Sequence, residues 1–211
     1  MALTYDRSTV SERSPSTGTF ELGAARVEAF SDAVMAVIIT IMAFELRPPA
    51  APTAQALRDR LPALLVYGLS FAFIAIYWNN HHHLLRSATK LSGRVMWTNL
   101  LLLFWLSLIP VLTSWLAAAP TSSLPAAVYG MDAMLAGMSY YILARALISA
   151  NGRDSVLARA VARDYKGVVS VALYAFGVAG AFVSPWIAYG FYVCVSLIWI
   201  VPDSRLGRSP R

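Results

Sequence analysis

Charge and cysteine are both scarce in this chain: 13% of the residues are charged and a single cysteine, Cys194, is present. One thiol excludes an intrachain disulfide framework. So few charges against 58% hydrophobic residues and a mean hydropathy of +0.58 exclude a soluble globular surface. Also missing are Gly-x-Ser-x-Gly, His-Glu-x-x-His and any phosphate-cradling glycine-rich loop, so no catalytic residues are assigned and no enzyme is expected. Residues 1–23 are polar and rich in Ser and Thr; lacking the apolar core of a signal peptide, they read as a flexible cytoplasmic tail.

What is present is a series of long apolar runs, at 27–46, 62–85, 95–117, 124–148, 167–185 and 186–201. About 20 apolar residues in a helix cross the ~30 Å hydrocarbon layer. The runs are apolar all round, whereas a transmembrane barrel alternates over about ten residues. The expected fold is all-α, a polytopic membrane protein with six transmembrane helices over 24–202, followed by a cytoplasmic tail at 203–211. The last two helices are expected to form a hairpin turning at Ser184-Pro185-Trp186. Cys194, inside the sixth run, reads as a packing residue.

Basic residues collect on alternate connections. Arg7, Arg13 and Arg26 precede the first helix; Arg86, Lys90 and Arg94 join the second and third; Arg153, Arg159, Arg163 and Lys166 join the fourth and fifth; Arg205, Arg208 and Arg211 end the chain. The opposite side receives Arg47, Arg58 and Arg60. The positive-inside rule then puts both termini in the cytoplasm of a multi-pass cell-membrane protein. The net charge of +6 is spread over these short segments, which suits anionic lipid headgroups and gives no nucleic-acid surface.

The head of the first helix, Arg26-Val27-Glu28-Ala29-Phe30-Ser31-Asp32, brings charge to the mouth of a membrane span, and an intramembrane carboxylate needs a partner or water. Val37, Ile41 and Phe44 form an i, i+4, i+7 stripe with Thr40 beside it and Phe30 continuing the same side. Asp32 lies on a different face, toward the bundle. Periodicity alone leaves open whether the stripe meets lipid, another helix or a pore.

The string Arg26-x-x-x-Phe30-Ser31-Asp32, continued by Ala33, Ala36, Thr40 and Glu45-Leu46, resembles the signature of the transmembrane protein 175 family of potassium channels. Trp78 with His81, and Asn99 with Pro110, resemble that family's next elements. The resemblance implies a homotetramer whose first helices surround a K+ pathway, with Val37, Ile41 and Phe44 at the constriction and Thr40 as a hydroxyl layer. It implies no cofactor; the partners are permeant K+, membrane lipid and three further copies of the chain. Val37 is smaller and Phe44 larger than the residues usual in the family, so modest selectivity is expected.

Arg26, Phe30, Ser31, Asp32, Trp78, His81, His82 and Asn99 are expected to form a structural polar network in which Asp32 accepts from His81, Asn99 or Arg26. His81-His82-His83 invites a metal reading, but consecutive residues diverge by 100° around a helix and no carboxylate is adjacent in sequence, so no metal is assigned. Imidazoles there suit a pH-sensing cluster. Glu45 is placed at the outer mouth, where it would concentrate cations. Trp97, Trp115, Tyr129, Trp186 and Trp199 are read as interfacial anchors, and Arg145 as snorkelling or pairing with Asp154 or Asp164. The alternative function is a secondary ion transporter with a midplane polar site. It lacks an evident internal repeat, and Gly177 and Gly180 read as close-packing positions.

Overall fold

The computed structural model describes residues 15–152, 155, 158 and 165–200. Arg7, Arg13, Arg153, Asp154, Arg159, Arg163, Asp164, Arg205, Arg208 and Arg211 lie outside these, as do residues 1–14 and 203–211 of the two expected tails. Among the described residues the chain forms six helices: α1 (Pro15–Glu45), α2 (Ala54–Arg86), α3 (Gly93–Ala118), α4 (Ser123–Asn151), α5 (Tyr165–Ala181) and α6 (Pro185–Ile200). The first four are long and apolar enough to cross a membrane. At 17 and 16 residues, α5 and α6 extend about 25 Å.

Helix ends depart from the apolar runs because hydropathy marks the hydrocarbon layer and capping marks the helix. α1 reaches back to Pro15, so the stretch 15–23 assigned to the tail is helical; a proline in the first turn has no intrahelical N–H to lose and carries a helical φ. α2 starts eight residues before its apolar run, where Thr53 accepts from the Ala56 N–H at 3.2 Å. Ser92 caps α3 in the same way. α3 runs unbroken through buried Pro110, and α4 stops at Gly152, whose φ of 94° is open to glycine and strained for other residues.

α4 is the centre of the bundle, packed by α3, α5 and α6, while α1 lies to one side against α3 and α2. The expected hairpin forms, with α5 and α6 joined by three residues and the Ser184 N–H donating to Gly180 O at 2.9 Å. Tyr192 of α6 is its keystone: the ring lies against Gly130 and Gly177, and its hydroxyl donates to Ala126 O at 2.9 Å. Gly177 and Gly180 serve close packing, since a Cβ at either would stand 2.6 Å from Tyr192 Cε1 or 2.7 Å from Ile187 Cγ2.

Two packing expectations are corrected. Cys194 is exposed, because α6 buries Ala188, Tyr192, Val195 and Ser196 and residue 194 falls off that stripe. Tyr129 is buried at 1% exposure rather than at an interface. Its hydroxyl is satisfied in the core by Ser70 Oγ at 3.0 Å, and Ser70 also receives a bond of 2.8 Å from Thr113 Oγ1. Trp97 and Trp186, by contrast, are exposed as anchors would be.

Candidate functional site

α1 has two unlike faces. Ser31, Met35, Ile38 and Met42, spaced by 4, 3 and 4 residues, are buried against the bundle. On the other side Phe30, Val37, Ile41 and Phe44 are exposed in the single chain, with Phe44 at 88%. Thr40 is exposed among them and donates its hydroxyl to Val37 O at 2.8 Å. That bond uses the proton and leaves the oxygen lone pairs available to a cation. The stripe identified by its period is thus the side of α1 on which the described residues place nothing.

The polar residues at the start of the α1 span do meet residues of α2 and α3, with different pairings from those expected. Ser31 enters the buried network: Asn99 Nδ2 donates to Ser31 Oγ at 3.0 Å, and Ser31 Oγ donates to Val27 O at 2.8 Å. With its amide committed to Ser31, Asn99 turns its carbonyl oxygen toward His81, so His81 Nε2, 2.7 Å away, is the donor. Ser31 and His81 are wholly buried and Asn99 almost so. The three form a chain of bonds that ties α1 to α3 and α3 to α2 in a low dielectric.

Asp32 stands outside that chain. It is half-buried and accepts from Trp78 Nε1 at 3.0 Å, not from His81, Asn99 or Arg26. The reason is rotational: a step of one residue turns the side chain by 100°, so Ser31 faces α3 while Asp32 faces α2. Arg26 and Phe30 are exposed and line an open hollow with Met96 and Asn99. His82 also parts from His81, reaching Glu28 on α1 with 2.7 Å between Nδ1 and Oε1, and Arg86 Nε lies 3.6 Å from the same oxygen. Carboxylates therefore do lie beside a histidine, supplied by a helix remote in sequence.

At the opposite end of α1, Glu45 is exposed and accepts from Ser114 Oγ at 3.2 Å. Arg47 and Arg60 line the same hollow of about 380 Å³, so its formal charge is positive rather than the negative expected from Glu45 alone. Arg145 is exposed. One intramembrane carboxylate escaped the sequence reading: Asp132 of α4 is 5% exposed and neither carboxylate oxygen has a hydrogen-bond partner among the described residues. It is the lone acidic residue in the apolar run 124–148, and that was the available signal.

A bundle of long apolar helices, one of them held by polar bonds on its inner face and uncovered by the described residues on its outer face, defines a multi-pass α-helical membrane protein. Residues 26–110 match the family model described as endosomal/lysosomal potassium channel TMEM175. The chain is 43% identical over 184 residues to a potassium channel of Chryseobacterium sp. (strain P1-3), covering 87% of this chain and 96% of that relative. It is 28% identical to a potassium channel of Chamaesiphon minutus, covering 82% and 90%. In fold it is similar to the crystal structure of a lysosomal potassium-selective channel TMEM175 homolog from Chamaesiphon minutus, with a TM-score of 0.73 at 22% identity, over 85% of this chain and 97% of that one. The chain belongs to the TMEM175 potassium-channel family.

Proposed function

We propose that this chain conducts K+ passively as a homotetramer in the cell membrane, with both termini cytoplasmic and the four copies of α1 around a central pore. The observation that carries the reading is the bare face of α1, on which Val37, Thr40, Ile41 and Phe44 are exposed while Met35, Ile38 and Met42 anchor the helix from behind. Names of relatives, each called a potassium channel, support the choice of ion. A narrow ring of Val37, Ile41 and Phe44 side chains offers a K+ ion nothing to replace its hydration shell, so it closes by dewetting and opens by widening. Thr40 oxygens, one residue from the Ile41 ring, then serve a partly dehydrated ion. Bonds from Ser31 to Asn99 and from Asp32 to Trp78 fix the tilt and rotation of α1, so the width of the ring is set from behind.

Purified protein in liposomes under a K+ gradient tests this reading, comparing wild type with Val37→Asn and Ile41→Asn. A polar ring wets more readily, so either substitution is expected to raise flux several-fold. Equal flux in all three from well-folded protein would remove α1 from the conduction path.

A further inference from the structure

Next to the Ser31–Asn99–His81 chain lies a cluster of which the proposed function uses Asp32 alone. Glu28 and Asp32 on α1 and His82 on α2 each offer one ligand atom, and these atoms lie within 4.8 Å of one another. The i, i+4 spacing sets both carboxylates on one side of α1, and all three residues are half-buried. His82 Nδ1 is screened from solvent and stands 2.7 Å from Glu28 Oε1, yet it is not aligned with it as a hydrogen bond. The pair is a close ionic contact that leaves the Nδ1 atom without an aligned hydrogen bond.

Their surroundings hold them in place. The His82 ring stacks on Trp78 with centroids 6.0 Å apart and planes 26° from parallel. Trp78 in turn donates its indole N–H to Asp32 Oδ1 at 3.0 Å, which orients that carboxylate and leaves its second oxygen for another partner. One indole therefore positions two of the three ligand groups.

We propose that Glu28, Asp32 and His82 form a binding site for a divalent transition-metal ion of the Zn²⁺ class, which staples α1 to α2. One imidazole and two carboxylates are an N/O donor set that such ions accept, with a fourth position left for water. Bonds of about 2.0–2.2 Å at tetrahedral angles hold ligand atoms roughly 3.4 Å apart. To adopt that spacing Glu28 and His82 separate by less than about 1 Å, and the ligand atoms now up to 4.8 Å apart close by about 1.4 Å, movements of side chains that are each half-buried. A divalent ion balances the two carboxylates, and the guanidinium that now lies near Glu28 belongs to Arg86, an exposed side chain free to swing into solvent. Because α1 carries the pore face under the proposed function, bridging it to α2 slows the movement that widens the ring. That effect on conduction rests on the proposed function; the binding does not.

The test uses tag-free, metal-stripped full chain in detergent, titrated with ZnCl₂ by calorimetry, in wild type, His82→Gln and Glu28→Gln. Wild type is expected to take up one saturable Zn²⁺ per chain and to melt at a higher temperature with Zn²⁺ than with chelator. Both variants are expected to bind at least tenfold more weakly, and His82→Gln to lose the zinc-dependent shift. Melting in chelator checks that each variant is folded. No saturable uptake, or equal affinity in wild type and both variants, would overturn the site and leave a Glu28–His82–Arg86 ion-pair cluster. In liposomes Zn²⁺ is expected to slow K+ flux in wild type and not in His82→Gln. Saturable binding with no effect on flux would uphold the site and count against α1 as the conducting helix.

Discussion

Asn99 of α3 donates its side-chain amide to Ser31 of α1 at 3.0 Å, across a separation of 68 residues and with both groups buried. The bond leaves Asn99 one way to face His81, and so a single amide decides the rotation of the helix that bears the bare apolar face.

Replacing Asn99 by leucine strands His81, while Ser31 keeps its bond to Val27 O. A buried group deprived of its partner costs about 1–3 kcal/mol. The expected result is a clear fall in melting temperature in detergent, with Ser31→Ala, which removes one polar group and keeps the Asn99–His81 bond, milder than Asn99→Leu. Equal melting of Asn99→Leu and wild type would contradict the network.

Trp78 and Asp32 form one unit. Trp78→Phe keeps much of the ring but not the N–H, and Asp32→Ala removes the acceptor; each should cost about 1 kcal/mol or more for a hydrogen bond to a charged group. The double variant is expected to melt close to the worse single one, because the second change removes a bond already lost. Strict additivity would mean that the 3.0 Å bond contributes nothing.

Gly177→Ala drives a methyl group toward Tyr192 Cε1, which lies 2.6 Å from the new Cβ, and toward Phe191 Cβ at 3.2 Å. Overpacking of this kind costs about 1–3 kcal/mol. Thermal melts should show Gly177→Ala below wild type, while Gly190→Ala, with open space at the Cβ, should match it.

Among the described residues neither buried oxygen of Asp132 has a partner, so Asp132→Asn gives up no hydrogen bond there and removes a charge that burial penalises. The amide variant is expected to melt higher than wild type. A large loss of stability instead would mean that the carboxylate has a partner in the assembled protein.

The sequence alone determined the class and the face. Long runs that are apolar all round admit helices and no other spanning structure, because a bilayer cannot satisfy a backbone left open. The 3.6-residue period then put Val37, Ile41 and Phe44 on one side of α1 and Asp32 on another, and both placements hold in the fold. The motif at Arg26-x-x-x-Phe30-Ser31-Asp32 pointed to the family. Partner choice was not legible, since it depends on how three helices rotate against one another: Ser31 took Asn99, Asp32 took Trp78, and His82 took Glu28 from a segment more than fifty positions away. Likewise, only packing decided that Tyr129 is core and Cys194 is surface. A local pattern fixes which way a side chain leaves its own helix; what it meets there is fixed by the neighbouring helix, whose position no single segment encodes.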